Sequence, residues 1–133
     1  MMLSNLNTSA FDWSKKKILI AEDEDSNYRY LEMVLKKTKI EILWAKDGIE
    51  AVEMCKQFVP DLILMDIKMP NMDGLEATRE IKKIHPEIPI IAQTAFAMEN
   101  DERLSLEAGC NSYLSKPIKV NKLMQTLTTF LVS

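Results

Sequence analysis

The stretch Asp61–Gly74 reads DLILMDIKMPNMDG and decides the fold of this 133-residue chain. It begins as an almost unbroken apolar run that reaches Asp66, and a loop rich in Pro, Asn, Asp and Gly follows. A short apolar run without polar alternation predicts a strand buried on both faces, as in a parallel sheet covered by helices. The loop residues predict that this strand ends at Asp66. An acid at that point lies where open α/β sheets form their sites.

The rest of the chain alternates short apolar segments with segments of helical periodicity. Strands are predicted over residues 17–21, 41–45, 61–66, 90–94 and 111–115, each followed by a helix, the last three helices over about 75–84, 98–108 and 120–131. This alternation predicts parallel strands joined by right-handed crossovers, hence a doubly wound α/β sheet with helices on both faces.

Residues 1–15 are polar and aperiodic, so we expect a flexible lead-in or linker before a single domain over residues 16–133. Phe11 and Trp13 are candidates for docking on the domain edge. In the helix that follows the first strand, Ser26 and Asn27 are expected to cap the amino end.

Composition excludes several classes of function. The net charge of −3 gives no support to direct nucleic-acid binding, which needs a clustered basic excess. Cys55 and Cys110 form no C-x-x-C pair and are expected to be buried free thiols. The sequence has no secretory signal and no apolar run near the ~18 residues that span a membrane. We therefore expect a cytoplasmic protein without direct membrane contact.

Polar residues follow four of the five predicted strands. Glu22 and Asp23 follow the first strand, Asp66 ends the third, Thr94 ends the fourth and Lys116 follows the fifth. Because the carboxyl ends of parallel strands meet at one edge, we expect these five side chains to lie close together. A merely solvated edge would scatter such groups among its loops.

The expected cluster suits phosphoryl chemistry. Three neighbouring carboxylates repel one another unless a cation is present, either Lys116 or a divalent metal ion. All-oxygen ligands favour Mg²⁺. An aspartate carboxylate can attack phosphorus to form an acyl phosphate, and Lys116 and Thr94 can contact the phosphoryl oxygens. The hypothesis is that Asp66 is phosphorylated in a Mg²⁺-dependent reaction.

Four motifs in order resemble the receiver domain of a two-component response regulator. They are ILIAEDE at 18–24, LMDIKMPNMDG at 64–74, QTA at 93–95 and GCNSYLSKP at 109–117, and the resemblance covers about residues 17–132. It implies a flavodoxin-like (βα)5 fold with strand order 2-1-3-4-5. It also implies a phosphoacceptor role for Asp66.

The resemblance implies roles for the other residues of the cluster. Asp23 matches the direct metal ligand, Glu22 the acid that reaches the metal through water, and the Lys68 backbone carbonyl the third protein ligand. Lys116 matches the lysine that pairs with the phosphoryl group, in a Lys116–Pro117 peptide that is typically cis in this family. Glu22 stands where relatives often have Asp, and its arm is longer.

The resemblance further implies a switch and partners. Thr94 and Tyr113 match the switch pair, which alters the face formed by the fourth helix, fifth strand and fifth helix. The phosphoryl donor is expected to be a histidine kinase or a histidine phosphotransfer protein. Residues 11–17 resemble the junction into the C-terminal receiver of a hybrid sensor histidine kinase, which favours a kinase core in the same full-length chain and leaves a stand-alone regulator as the alternative.

Two other functions stay open at this point. A Mg²⁺-dependent aspartyl-phosphate phosphohydrolase also uses an aspartate at a strand end, but it needs a second acid two residues later, where this chain has Lys68. A receiver-like scaffold could bind partners without phosphorylation. For the receiver itself we expect no turnover of outside substrates and slow self-dephosphorylation, because Lys68 and Phe96 border the site and neither can orient a hydrolytic water.

Overall fold

The computed structural model describes residues 11–95 and 99–131, and strands and helices alternate throughout these ranges. The strands are β1 (Lys17–Ala21), β2 (Glu41–Ala45), β3 (Leu62–Asp66), β4 (Ile90–Thr94) and β5 (Ser112–Ser115). The helices are α1 (Asp25–Lys36), α2 (Gly48–Phe58), α3 (Gly74–Ile84), α4 (Glu99–Ala108) and α5 (Val120–Leu131). The predicted bounds of the strands differ from these by at most one residue.

The strands form one parallel sheet in the order β2-β1-β3-β4-β5. The doubly wound architecture and the strand order implied by the resemblance are therefore confirmed. The register aligns the carboxyl ends: Ala21 lies opposite Ala45 and Met65, and Asp66 lies opposite Gln93. Residues that follow these ends are consequently brought to one edge of the sheet.

The apolar strands supply two cores, one on each face of the sheet. In β1, Ile18 and Ile20 pack with α1 and α5, whereas Leu19 and Ala21 pack with α2 and α3. All five residues of β3 are buried. Burial on both faces explains why these strands lack polar alternation.

Capping residues follow the local sequence signal at the amino ends of α2 and α3 but not at that of α1. Asp47 caps α2 by accepting the Glu50 backbone N–H at 2.8 Å, and Asp73 does the same for α3. The prediction that Ser26 and Asn27 cap α1 is wrong, because the residue at the cap is Glu24, and its side chain makes no capping bond. The Asn27 side chain instead contacts Glu22.

The segment before β1 lies against the domain. Trp13 is 5% exposed within the core on the α1 side, its backbone N–H donates to the Thr38 carbonyl at 2.8 Å, and the Phe11 ring lies 5.3 Å from its own. Trp13 thus docks as the sequence suggested. Residues 1–10 lie outside the described residues, and the domain boundary at residue 16 stays a prediction.

The two cysteines are in the state that the sequence predicted. Cys55 and Cys110 are free and buried, and burial raises the pKa of the Cys55 thiol to about 11. Among the helices of the described ranges, none has the length and apolarity to cross a bilayer.

Lys82 connects α3 to the segments that precede β4 and β5, and its loss should destabilise the protein. Its Nζ donates to the Ile88 carbonyl at 2.7 Å, to Asn111 Oδ1 at 3.0 Å and to the Pro86 carbonyl at 3.2 Å. We expect Lys82→Met to lower the free energy of unfolding by about 2 kcal/mol in urea titrations, because it leaves the partly buried Ile88 carbonyl and two more exposed acceptors without their charged donor.

Lys83→Met is the matched control on the same helix. The Lys83 side chain is 72% exposed and pairs with Glu80 at 3.1 Å. It should change the unfolding free energy by less than about 0.5 kcal/mol. Equal effects of the two substitutions would contradict the connecting role of Lys82.

Candidate functional site

Asp66 is the last residue of β3 and is 4% exposed. The loop after it folds back against the strand end: the Ile67 N–H donates to the Gln93 carbonyl at 3.0 Å, and the Gly74 N–H donates to the Ile67 carbonyl at 2.8 Å. A Cβ atom at Gly74 would collide with the Asp66 carbonyl oxygen. Glycine is therefore required for this loop to pack directly behind Asp66.

Three carboxylates converge at this edge. Glu22, Asp23 and Asp66 each offer an oxygen, and these oxygens lie within 4.8 Å of one another. Glu22 and Asp66 are buried, whereas Asp23 is exposed. This all-oxygen donor set, open to solvent on one side, fits Mg²⁺, which prefers carboxylates and keeps several waters.

Lys116 is the cation of the cluster. Its Nζ lies 3.2 Å from Glu22 Oε1, 3.3 Å from Asp66 Oδ2 and 3.7 Å from Glu24 Oε1. The Lys116–Pro117 peptide is cis, as the resemblance implied, and the Lys116 N–H donates to the Thr94 carbonyl at 2.7 Å. The contact with Glu24 was not predicted, although Glu24 belongs to the acidic run after β1.

The charges in the cluster do not balance without a further cation. Burial and then the nearby Glu22 carboxylate raise the pKa of Asp66 to about 7, against the opposing effect of Lys116. Burial lowers the pKa of Lys116, but the Asp66 and Glu22 carboxylates outweigh it and the net shift is upward. A bound divalent cation would stabilise the charged form of Asp66.

The raised pKa of Asp66 predicts a pH-dependent stability in the absence of metal. Since the folded pKa of about 7 lies above the ordinary 3.8, Asp66 stabilises the fold most below about pH 4 and progressively less as the pH rises towards 7. In urea titrations with a chelator, we expect the stability gain of Asp66→Asn over the parent to widen by about 2 kcal/mol between pH 5 and 8. Parallel stability curves for the two proteins would contradict the shift.

The predicted switch pair lies beside α4. Thr94 is 1% exposed, and its hydroxyl donates to Asp101 Oδ2 at 3.3 Å. The Tyr113 hydroxyl is buried and has no hydrogen-bond partner within the described ranges. Burial, followed by the charges of Asp101 and Glu102, raises the pKa of Tyr113. Nothing in the sequence singled out Asp101, because an acid in the first half of a helix carries no specific signal.

Lys68 is exposed and lines an open cleft of about 650 Å³ together with Asp23, Asp73 and Asp101. The cleft opens onto Asp23, the exposed acid at the sheet edge that carries Glu22, Asp23 and Asp66 (the acidic edge). Phe96, which was expected to border the site together with Lys68, lies outside the described residues.

Three further residues surround the buried acid Glu22. Asn27 Nδ2 donates to the Glu22 carboxylate and lies 3.4 Å from Gln93 Oε1, while Trp44 Nε1 donates to the Glu22 backbone carbonyl at 2.8 Å. Gln93 is fully buried, and its Nε2 has no partner among the described residues. A glutamine in an otherwise apolar strand was the available signal for Gln93, whereas nothing in the sequence pointed to Trp44.

Comparisons with known proteins agree on one family. The family model described as "Response regulator receiver domain" matches residues 18–128. The polar-differentiation response regulator DivK of Brucella ovis is 37% identical over 118 residues, which cover 87% of this chain and 96% of DivK.

Two solved structures are similar in fold and sequence. The receiver domain of sensor histidine kinase PA1611 from Pseudomonas aeruginosa, solved with magnesium coordinated in its active site cleft, has a TM-score of 0.83 and 38% identity, covering 89% of this chain and 98% of that one. The receiver domain of Ssk1 from Saccharomyces cerevisiae, crystallised with the histidine phosphotransfer protein Ypd1, has a TM-score of 0.81 and 33% identity, covering 86% and 88%. With its fold and acidic edge, this chain belongs to the receiver domain family of two-component response regulators.

Proposed function

We propose that this receiver domain accepts a phosphoryl group on Asp66 with Mg²⁺ bound beside it. The observation that carries the proposal is the buried Asp66 carboxylate, which lies within 4.8 Å of two other carboxylate oxygens and 3.3 Å from the Lys116 ammonium. A nucleophilic oxygen, a fixed cation and a set of metal-ligand oxygens meet at one strand end. Phosphoryl transfer requires mainly such positioning and charge neutralisation.

Asp23, Asp66 and the Lys68 carbonyl are proposed to hold the metal ion, with Glu22 reaching it through water. Magnesium in the cleft of the PA1611 receiver supports this assignment. When bound, Mg²⁺ neutralises charge on the phosphoryl oxygens and on Asp66. The buried Glu22 is already held by Lys116, by Asn27 and by the Glu24 backbone N–H at 3.1 Å, so its oxygens suit a water-mediated contact better than direct ligation.

The side chains around Asp66 each have a defined task in the transfer. An Asp66 oxygen forms a bond to phosphorus while the bond from phosphorus to the donor breaks. Lys116 stays within reach of Asp66 and stabilises the negative charge on the transferred group. Thr94 offers its hydroxyl to a phosphoryl oxygen.

The proposed switch uses the contact between β4 and α4. The Thr94 hydroxyl donates to Asp101 in this structure, and a phosphoryl group on Asp66 offers a doubly charged acceptor instead. Movement of Thr94 would release Asp101 and let Tyr113 turn towards the vacated space. The face of α4, β5 and α5 would then change its population between two states.

The donor is proposed to be a histidine kinase or a histidine phosphotransfer protein, in keeping with the Ssk1 receiver in complex with Ypd1. The presence of a kinase core in the same full-length chain stays a prediction. Turnover of an outside substrate is disfavoured, because Lys68 stands where an aspartyl-phosphate hydrolase needs its second acid. The acid cluster and Lys116 favour a phosphoacceptor over a scaffold that only binds partners.

Incubation with acetyl phosphate tests the proposal without a cognate kinase. Intact-mass spectrometry should show one added phosphoryl group in Mg²⁺ and none in excess chelator, and hydroxylamine should remove the group, as expected for an acyl phosphate. Equal uptake with chelator, or no uptake at any Mg²⁺ concentration, would contradict the proposed chemistry.

A further inference from the structure

We propose that Trp44 is a positioning residue for the metal site: its indole N–H fixes the peptide between Glu22 and Asp23 so that Asp23 faces Asp66 before the ion arrives. The inference rests on the proposed Mg²⁺ site and adds to it a residue outside the acidic cluster, on the neighbouring strand. The sequence motifs of the receiver resemblance do not include Trp44.

Glu22 lies where the chain leaves the sheet, and its backbone N–H and carbonyl bond to different groups of the neighbouring strand. The register of β1 with β2 ends at Ala21 and Ala45. The Glu22 N–H still donates to the Ala45 carbonyl at 2.9 Å, but the Glu22 carbonyl accepts from Trp44 Nε1 at 2.8 Å. Glu22 is 0% exposed, so its carbonyl depends on this indole for a partner.

Covalent geometry connects the Trp44 hydrogen bond to Asp23. The Glu22 carbonyl and the Asp23 backbone N–H belong to one planar peptide group, so a rotation of that carbonyl also reorients Asp23. The Asp23 carboxylate is exposed and makes no hydrogen bond to the described part of the chain. Its direction is therefore set through the backbone, and Trp44 holds that backbone from the β2 side.

The Trp44 ring is itself held in place by its neighbours. The Tyr28 ring of α1 stacks on it with centroids 3.8 Å apart and an interplanar angle of 2°. Lys46 Nζ lies 4.7 Å from the Trp44 ring centroid, a cation–π contact. Tyr28 is 6% exposed and packs in the core with Leu31, so the indole is anchored to α1 as well as to β2.

Through these contacts, Trp44 resembles the residues that orient a metal ligand without binding the ion themselves. Groups that orient a ligand from behind typically change metal affinity by about 10- to 100-fold when they are removed. Trp44 acts on Asp23 through one peptide group, so we expect the lower end of that range. The rest of the acidic edge would be unchanged, because Lys116 and Asn27 hold Glu22 independently of Trp44.

Trp44→Phe is the decisive variant, since it keeps an aromatic ring against Tyr28 and removes the N–H. Trp13→Phe is the matched control, because Trp13 is a buried aromatic of the same core on the segment before β1. Calorimetric titration with MgCl₂ should give about tenfold weaker binding for Trp44→Phe than for the parent and Trp13→Phe. Urea unfolding in chelator would show the structural cost of each substitution separately.

An Mg²⁺ affinity of Trp44→Phe within a factor of about two of the parent, together with a reduced metal-free stability, would overturn the inference and leave Trp44 as a packing residue. A parent protein that binds no Mg²⁺ would instead overturn the proposed metal site, and the inference with it.

The parent protein offers a second test that does not depend on a variant folding. In ¹H–¹⁵N spectra, the indole N–H resonance of Trp44 should move with added MgCl₂ and saturate at the calorimetric affinity, while that of Trp13 should stay fixed. A Trp44 indole resonance that does not move with added MgCl₂ would overturn the inference, because the indole donates to the peptide next to the proposed ligand Asp23.

Discussion

Asp66→Asn should take up a phosphoryl group from acetyl phosphate at least about a thousandfold more slowly than the parent does. An amide is a far weaker nucleophile than a carboxylate, and the substitution also removes a charged ligand from the proposed metal site. The side chain keeps its size, and removal of a buried charge should raise the metal-free stability near neutral pH. Loss of uptake with retained folding is thus expected, measured by intact mass and by urea unfolding of the same samples.

Asp25→Asn provides the control for this experiment. Asp25 is an exposed acid in the first turn of α1, two residues after Asp23, and it should keep the uptake of the parent. Asp23→Asn should slow uptake in a way that more Mg²⁺ partly restores. If Asp66→Asn still acquired an acid-labile phosphoryl group, the Asp66 carboxylate would not be the acceptor.

Lys116→Met should lower the metal-free free energy of unfolding by about 3 kcal/mol near neutral pH, because it removes the cation from two buried carboxylates. The Lys116 side chain is 13% exposed and lies within 3.3 Å of both Glu22 and Asp66. Part of the loss should return on addition of MgCl₂. The measurement is urea unfolding with chelator and with Mg²⁺.

Two comparisons make the interpretation of Lys116→Met specific. Lys119→Met replaces an exposed lysine three residues later and should change the unfolding free energy by less than about 0.5 kcal/mol. The double variant Lys116→Met, Asp66→Asn should be more stable than the effects of the two single changes added together, because one of the two carboxylates that lose their cation is then absent. Additive effects, or equal losses for Lys116→Met and Lys119→Met, would contradict the role of Lys116 as the counter-charge.

The sequence predicts the fold and the main cluster because both depend on patterns along single strands. Apolar runs that end in Asp66, Thr94 or the acids after β1 indicate buried parallel strands, and parallel strands carry their ends to one edge. The convergence of Glu22, Asp23, Asp66 and Lys116 follows from topology alone. Strand order and the cis Lys116–Pro117 peptide came from the resemblance, since neither leaves a periodic signal.

Several of the contacts that the sequence did not predict are side-chain bonds across long separations. Trp44 meets Glu22 across 22 positions, and Lys82 meets Asn111 across 29. Such bonds depend on rotamers and on the distance between packed elements, which residue type does not encode. The same reason explains the wrong prediction of the α1 cap. Asn27 is of a common capping residue type, but the buried Glu22 carboxylate lies within its reach and accepts a hydrogen bond from its amide nitrogen.

A crystal structure of the protein in MgCl₂ and beryllofluoride, which mimics the phosphoryl group, tests the central claim most directly. We expect one Mg²⁺ ligated by Asp23, Asp66 and the Lys68 carbonyl, beryllofluoride on an Asp66 oxygen, and contacts from Lys116 and Thr94 to its fluorines. A structure in which the ion lies away from these carboxylates, or in which beryllofluoride leaves Asp66 unmodified at saturating Mg²⁺, would contradict it.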